Sequence, residues 1–162
     1  MRVVTVSAAA IAALSVIGFA DLAQAQQKLF VSGDMERGNQ QGAPPACVLN
    51  NVFLHGEKVV WRVRVQDPSG KELDDKGVKS VHVELPDGQK IQGRWGGHPP
   101  RQPTDHLWSV AWIIPANYPT GTFDYKVVVE DMQGNTQTWE PFKVATSQLR
   151  VLDGAIQLKK TN

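Results

Sequence analysis

Lys58-Val59-Val60-Trp61-Arg62-Val63-Arg64-Val65-Gln66 alternates along its length. Val59, Trp61, Val63 and Val65 fall on one side and Val60, Arg62, Arg64 and Gln66 on the other. A half-buried strand demands this pattern, because successive side chains point to opposite faces of a sheet. The same period recurs further on. Val81, Val83 and Leu85 alternate until Pro86-Asp87-Gly88, where Asp-Gly suits the positive backbone angles of a hairpin turn, and Gln89 to Trp95 returns. Trp108, Val110, Trp112 and Ile114 share one side of the next strand, and Phe123, Tyr125, Val127 and Val129 one side of another. Asp67-Pro68-Ser69-Gly70, Tyr118-Pro119-Thr120-Gly121 and Gln133-Gly134-Asn135 turn the chain, with Lys71 to Lys76 a solvated loop. Thr136 to Val144 returns, and Leu149 to Leu152 is a last apolar piece that closes an edge or trails off. No helical period follows residue 25. The expectation is an all-β, two-sheet sandwich of about seven to eight antiparallel strands, since a parallel sheet needs crossover helices.

The chain has 162 residues, with 17 Lys and Arg against 16 Asp and Glu. This near balance gives no basic face for nucleic acid, so no nucleic-acid partner is expected. Basic Arg2, an apolar run from Val3 to Ala20 and the small-x-small closure Ala23-Gln24-Ala25 read residues 1–25 as a signal peptide that is cleaved. A membrane span needs about 20 strongly apolar residues, whereas this run is mostly Ala, Ser and Val and stops at Asp21. The expected product is periplasmic or secreted, without stable membrane insertion after cleavage. Residues 26–47 are a polar segment offering an edge strand at Leu29-Phe30-Val31, residues 48–152 the sandwich, and residues 153–162 a tail. The single cysteine, Cys47, has no intrachain partner for a disulfide. It is buried, reactive or paired between chains, and the fold rests on its apolar core.

Pro115-Ala116-Asn117-Tyr118-Pro119-Thr120-Gly121-Thr122-Phe123-Asp124-Tyr125-Lys126-Val127, continuing through Asp131-Met132-Gln133-Gly134-Asn135, resembles the last hairpin of bacterial immunoglobulin-like and fibronectin type III-like modules. In those families a Pro/Gly turn leads into an aromatic-rich strand and then a Gly-Asn or Gly-Asp hairpin. The resemblance implies an immunoglobulin-like sandwich, with Trp61 in the core place such domains give a tryptophan and Tyr125 or Tyr118 as the tyrosine corner. The paired inter-sheet cysteines of antibody domains are absent. Such modules serve as adhesins, receptor modules, chaperones, enzyme accessory domains and metal carriers, so the resemblance narrows fold more than function.

Several side-chain sets carry chemistry in principle. His55, His82, His98 and His106, with Cys47, Met35 and Met132, are ligand types for copper or zinc. None has a ligand-like spacing, so no cofactor is expected; any metal would fall to His98, His106 and Cys47. Ser80, His82 and Glu84 share one face of a strand at roughly 6.5–7 Å per step, too far apart for a nucleophile relay. They read as a polar solvent face, and Asp74-Asp75 and Glu130-Asp131 as solvated turns. Gly96 to Asp105 holds glycines and prolines without alternation, so a long loop carries Trp95, His98, Arg101 and His106 as a candidate contact surface. The alternative is a proline-stiffened connection with Trp95 tucked beneath it. Arg62 and Arg64 leave one strand on its outward face, where they meet an acidic partner or pair across the sheet with Glu84 or Glu130. The functional expectation is an exported non-catalytic module that binds or supports another exported protein. The alternative is a periplasmic small-ligand or metal carrier built around His98, His106 and Cys47.

Overall fold

The structure is a computed structural model and describes residues 28–39, 48–99 and 101–155. The segment read as a signal peptide, Cys47 and residues 156–162 lie outside the described residues. The strands are β1 (Phe30–Arg37), β2 (Val48–Leu49), β3 (Val52–His55), β4 (Lys58–Gln66), β5 (Val78–Glu84), β6 (Lys90–His98), β7 (Asp105–Ile113), β8 (Gly121–Phe123), β9 (Lys126–Asp131), β10 (Thr136–Trp139) and β11 (Leu149–Ala155). No helix occurs among the described residues. A curled sheet of 8 strands in the order β10-β9-β5-β6-β7-β4-β1-β2 packs with a 3-stranded sheet in the order β3-β11-β8.

The all-β two-sheet sandwich is therefore the fold, with two corrections. There are more strands than the alternation shows, because β2, β3 and β8 are too short to display a period. The pairing is also not wholly antiparallel: β11 runs parallel to β3, with Arg150 opposite Val52 and Val151 opposite Phe53. The chain's last strand reaches β3 from across the molecule, so its direction is not constrained by a tight hairpin. β1 is longer than the expected edge strand and lies between β4 and β2, in register with β4 from Phe30↔Gln66 to Arg37↔Val59.

The apolar sides of the strands meet in one core. Val59, Trp61, Val63 and Val65 of β4 and Val81 and Val83 of β5 join Phe53, Leu149 and Val151 of the smaller sheet. Trp61 sits at its centre, with ring centroids 6.4 Å from Trp112 and 5.6 Å from Tyr125. An aromatic of this size buries about 150–250 Å², so this cluster supplies much of the stability that no intrachain disulfide provides.

The β5–β6 turn departs from the Asp-Gly expectation. Only Gly88 has a positive φ, 84°, and Asp87 does not. Gly88 N–H donates to Leu85 O at 2.9 Å, Leu85 N–H to Gln89 O at 2.9 Å, and Asp87 Oδ1 accepts from Gln89 N–H at 3.0 Å. This is a three-residue connection with one left-handed glycine. The Asp67 to Lys71 and Asp131 to Asn135 turns repeat it, with the same pair of backbone bonds.

Candidate functional site

The expected long loop is a hairpin arm. β6 and β7 stay paired through Trp95↔Trp108, Gly96↔Leu107, Gly97↔His106 and His98↔Asp105, with described residues 101–104 at the tip. Glycine hides the alternation without interrupting the ladder. At position 97 it is required, since a Cβ would lie 2.5 Å from Pro103 Cγ, where the tip folds back. Trp95 is half-buried against the core, tilted on Trp108 at 5.9 Å and stacked with His106 at 6.2 Å. Arg101 is exposed at the tip. His98 faces Asp105 across the ladder and His106 faces Gly97, so the two histidines leave the arm on opposite faces. Among the described residues no three His, Cys, Asp or Glu side chains gather as metal ligands.

Arg62 and Arg64 are engaged within the sheet, with other opposites than Glu84 and Glu130. Arg62 Nε and Nη2 donate to Asp34 Oδ1 and Oδ2 at 2.7 and 2.6 Å, and its Nη1 lies 3.3 Å from Glu36 Oε2. Arg64 pairs with Glu72 at 2.9 Å and also with Asp105. The register decides this, because Asp34 stands directly opposite Arg62. Glu84 instead takes Lys90 at 2.7 Å and His82 at 3.2 Å, and Glu130 takes Lys79 at 2.6 Å. The hydrogen bonds from Lys90, then His82, hold the Glu84 carboxyl below its usual range, and Lys79 does the same for Glu130. Ser80 Oγ donates to Glu130 at 3.4 Å while His82 turns to Glu84. Serine and histidine on this face thus engage different carboxylates.

His55 has a role that spacing did not suggest. Its Nδ1 lies 3.0 Å from Gly154 O and its Nε2 2.8 Å from Tyr118 O, tying β3 to the end of β11 and to the turn before β8.

A concavity with an apolar lining lies elsewhere, where the curled sheet almost closes on itself. At one end of this seam the Gln137 side chain of β10 meets the backbone of Leu29 just before β1. Gln137 Oε1 accepts from Leu29 N–H at 2.7 Å, and Gln137 Nε2 donates to Leu29 O. Toward β2 the seam widens into a cleft of about 370 Å³ lined by Gly33, Met35, Leu49, Tyr125, Trp139 and Phe142, with Asp34 and Asn50 among its polar members. Met35 and Tyr125 are buried, whereas Phe142 is 82 % and Leu49 68 % exposed. Burial first, and then the negative charge of Asp34, push the Tyr125 phenol up to about 12, so the hydroxyl is neutral in use.

Sequence reasoning passed over this cleft because Thr136 to Val144 reads as one strand. β10 in fact stops at Trp139, and Pro141-Phe142 leave the sheet. Proline in the middle of an apparent strand was the available signal.

No family model and no curated protein matches the chain. Among solved structures it is similar to SGBP-B of the Bacteroides ovatus mixed-linkage glucan utilization locus, in complex with a mixed-linkage heptasaccharide. The identity is 14 %, over 76 % of this chain and 37 % of that one, with a TM-score of 0.26, so this chain spans well under half of that protein's length.

Proposed function

We propose that this chain is an exported, non-catalytic, immunoglobulin-like module that binds another exported protein through the seam cleft. The observation that carries this reading is the pairing of an apolar floor, Met35 and Tyr125, with a rim of exposed Phe142 and Leu49. Large apolar side chains gathered in water around a concavity mark interaction surfaces, because burying them gains roughly 25 cal/mol per Å². The Ala23-Gln24-Ala25 closure supports export to the periplasm or beyond. The β6–β7 arm, with Trp95 and His106 stacked and Arg101 at the tip, forms a second surface.

The test is photo-crosslinking in the source cell from a benzophenone amino acid placed at position 142 or at position 101. A product at 142 that disappears on Leu49→Asp supports the cleft. A product at 101 alone assigns the contact to the arm, and no product at either position sinks the binding-module reading.

A further inference from the structure

We infer that the cleft takes an extended peptide segment of the partner, which adds as a strand to the open edge of β1. This rests on the binding-module reading above and specifies its mode.

The inference follows from which backbone groups face the seam. Along a strand, the N–H and C=O of one residue point to one edge and those of the next residue to the other. Met35 O accepts from Asn50 N–H at 3.1 Å on the β2 side, and Leu29 bonds to Gln137 on that same side. Val31 and Gly33 lie between them at spacings of two, so their N–H and C=O groups face the seam as well. β4 occupies the opposite edge. Among the described residues no backbone partner meets Val31 or Gly33 across the seam.

Gln137 already treats this edge as a place to pair. Its side-chain amide, with one donor and one acceptor, completes Leu29 as a neighbouring strand would. Beyond Gln137 the space widens into the cleft, which adjoins Gly33 and Met35. An edge with free donors and acceptors beside an apolar hollow is matched by a strand. Its backbone satisfies Val31 and Gly33, and its alternate side chains fall among Met35, Trp139 and Phe142. Charge agrees with an uncharged insert, since the Asp34 carboxylate at the cleft wall is held by Arg62. Saccharides and helices, by contrast, supply no regular backbone ladder.

The probes are peptides selected from a random displayed library on the immobilised exported chain. They are measured by fluorescence anisotropy against wild type, Phe142→Ala and Val31→Pro. Proline at 31 removes a seam-facing donor while leaving the β4 ladder, the arrangement edge strands tolerate. Selected peptides are expected to alternate apolar residues, to lose binding with Phe142→Ala, and to weaken about tenfold with Val31→Pro, as the loss of about one hydrogen bond predicts. A second arm keeps the wild-type protein and N-methylates alternate peptide residues. One methylation phase is expected to abolish binding and the other to spare it. Binding that depends on Phe142 but ignores both Val31→Pro and methylation phase overturns strand addition while leaving the module reading intact. A Phe142-dependent response to a soluble oligosaccharide mixture, with no peptide selected, overturns strand addition and the protein-partner reading together. No crosslink at either 142 or 101 in cells, with no peptide selected, overturns both.

Discussion

Glu36, 2 % exposed, has its carboxylate 3.3 Å from the Arg62 guanidinium, which at the same time grips Asp34 through two hydrogen bonds. A buried carboxylate without a cation carries a desolvation penalty that nothing offsets. Arg62→Met keeps the stem but removes the charge, so it is expected to cost about 3–5 kcal/mol. Glu36→Gln in the wild-type background leaves Arg62 with Asp34 and is expected to cost less. Urea unfolding of both variants checks the order. An Arg62→Met protein as stable as wild type contradicts this account of β1 docking.

His55 sets its two ring nitrogens against two carbonyls, those of Tyr118 and Gly154. His55→Ala leaves both without this partner and is expected to lower stability by roughly 1–3 kcal/mol. The loosening should concentrate at the end of β11. Hydrogen exchange that is faster at residues 150–155 and unchanged in β4 and β7 is the expected outcome, and uniform change along the chain would contradict it.

The acid and alkaline limbs of stability have different owners. Glu84, Glu130 and Asp131 hold folded pKa values below their ordinary ones, through Lys90, Lys79 and Asn135 respectively. Depressed carboxyl values mean that their contribution is complete at neutral pH. It is lost as pH falls from the ordinary values, 4.5 for glutamate and 3.8 for aspartate, through the lowered ones. Asp131→Asn should flatten this limb. Tyr125 has the opposite sign. Its phenol is raised from 10.0 to about 12, so the folded state favours the neutral form. That contribution is present below pH 10 and lost as pH climbs toward 12, and Tyr125→Phe should flatten the alkaline limb. Denaturation series across both ranges read the slopes directly.

The face assignment of β4 was legible because its nine residues alternate without exception and one face is buried. Ser80, His82 and Glu84 are polar but half-buried, and from their one straight face they reach across to neighbouring strands, here to Glu130 and Lys90. The β6–β7 arm was misread because Gly96 and Gly97 carry no side chain to alternate, although their backbones pair. The partner of Arg62 was hidden because register, not composition, sets Asp34 opposite it, and Arg64 reaches past its own opposite, Ser32, to Glu72 and Asp105. The cleft was least accessible of all. It exists only because β1 and β10 approach across the seam, and Leu29 and Gln137 are 108 residues apart. No local pattern encodes that meeting.

That meeting has its own test. Gln137 gives Leu29 an acceptor and a donor from one amide, and no other neutral side chain of its length offers both. Gln137→Glu keeps size and acceptor but turns the donor into a second acceptor facing Leu29 O, placing a negative charge against a carbonyl oxygen. Gln137→Met keeps shape and loses both bonds without adding repulsion. Stability is expected to fall in the order wild type, Met, Glu, with the Met variant down by about 1–2 kcal/mol. Exchange of the Leu29 amide should accelerate in both variants, while the β4–β7 amides stay protected. The Glu variant should recover toward the Met level or above as pH drops and the new carboxyl is protonated, because a protonated carboxyl regains a donor. If Glu and Met variants unfold alike at neutral and at acid pH, the seam is held by packing of Leu29 against the core and the Gln137 amide is incidental.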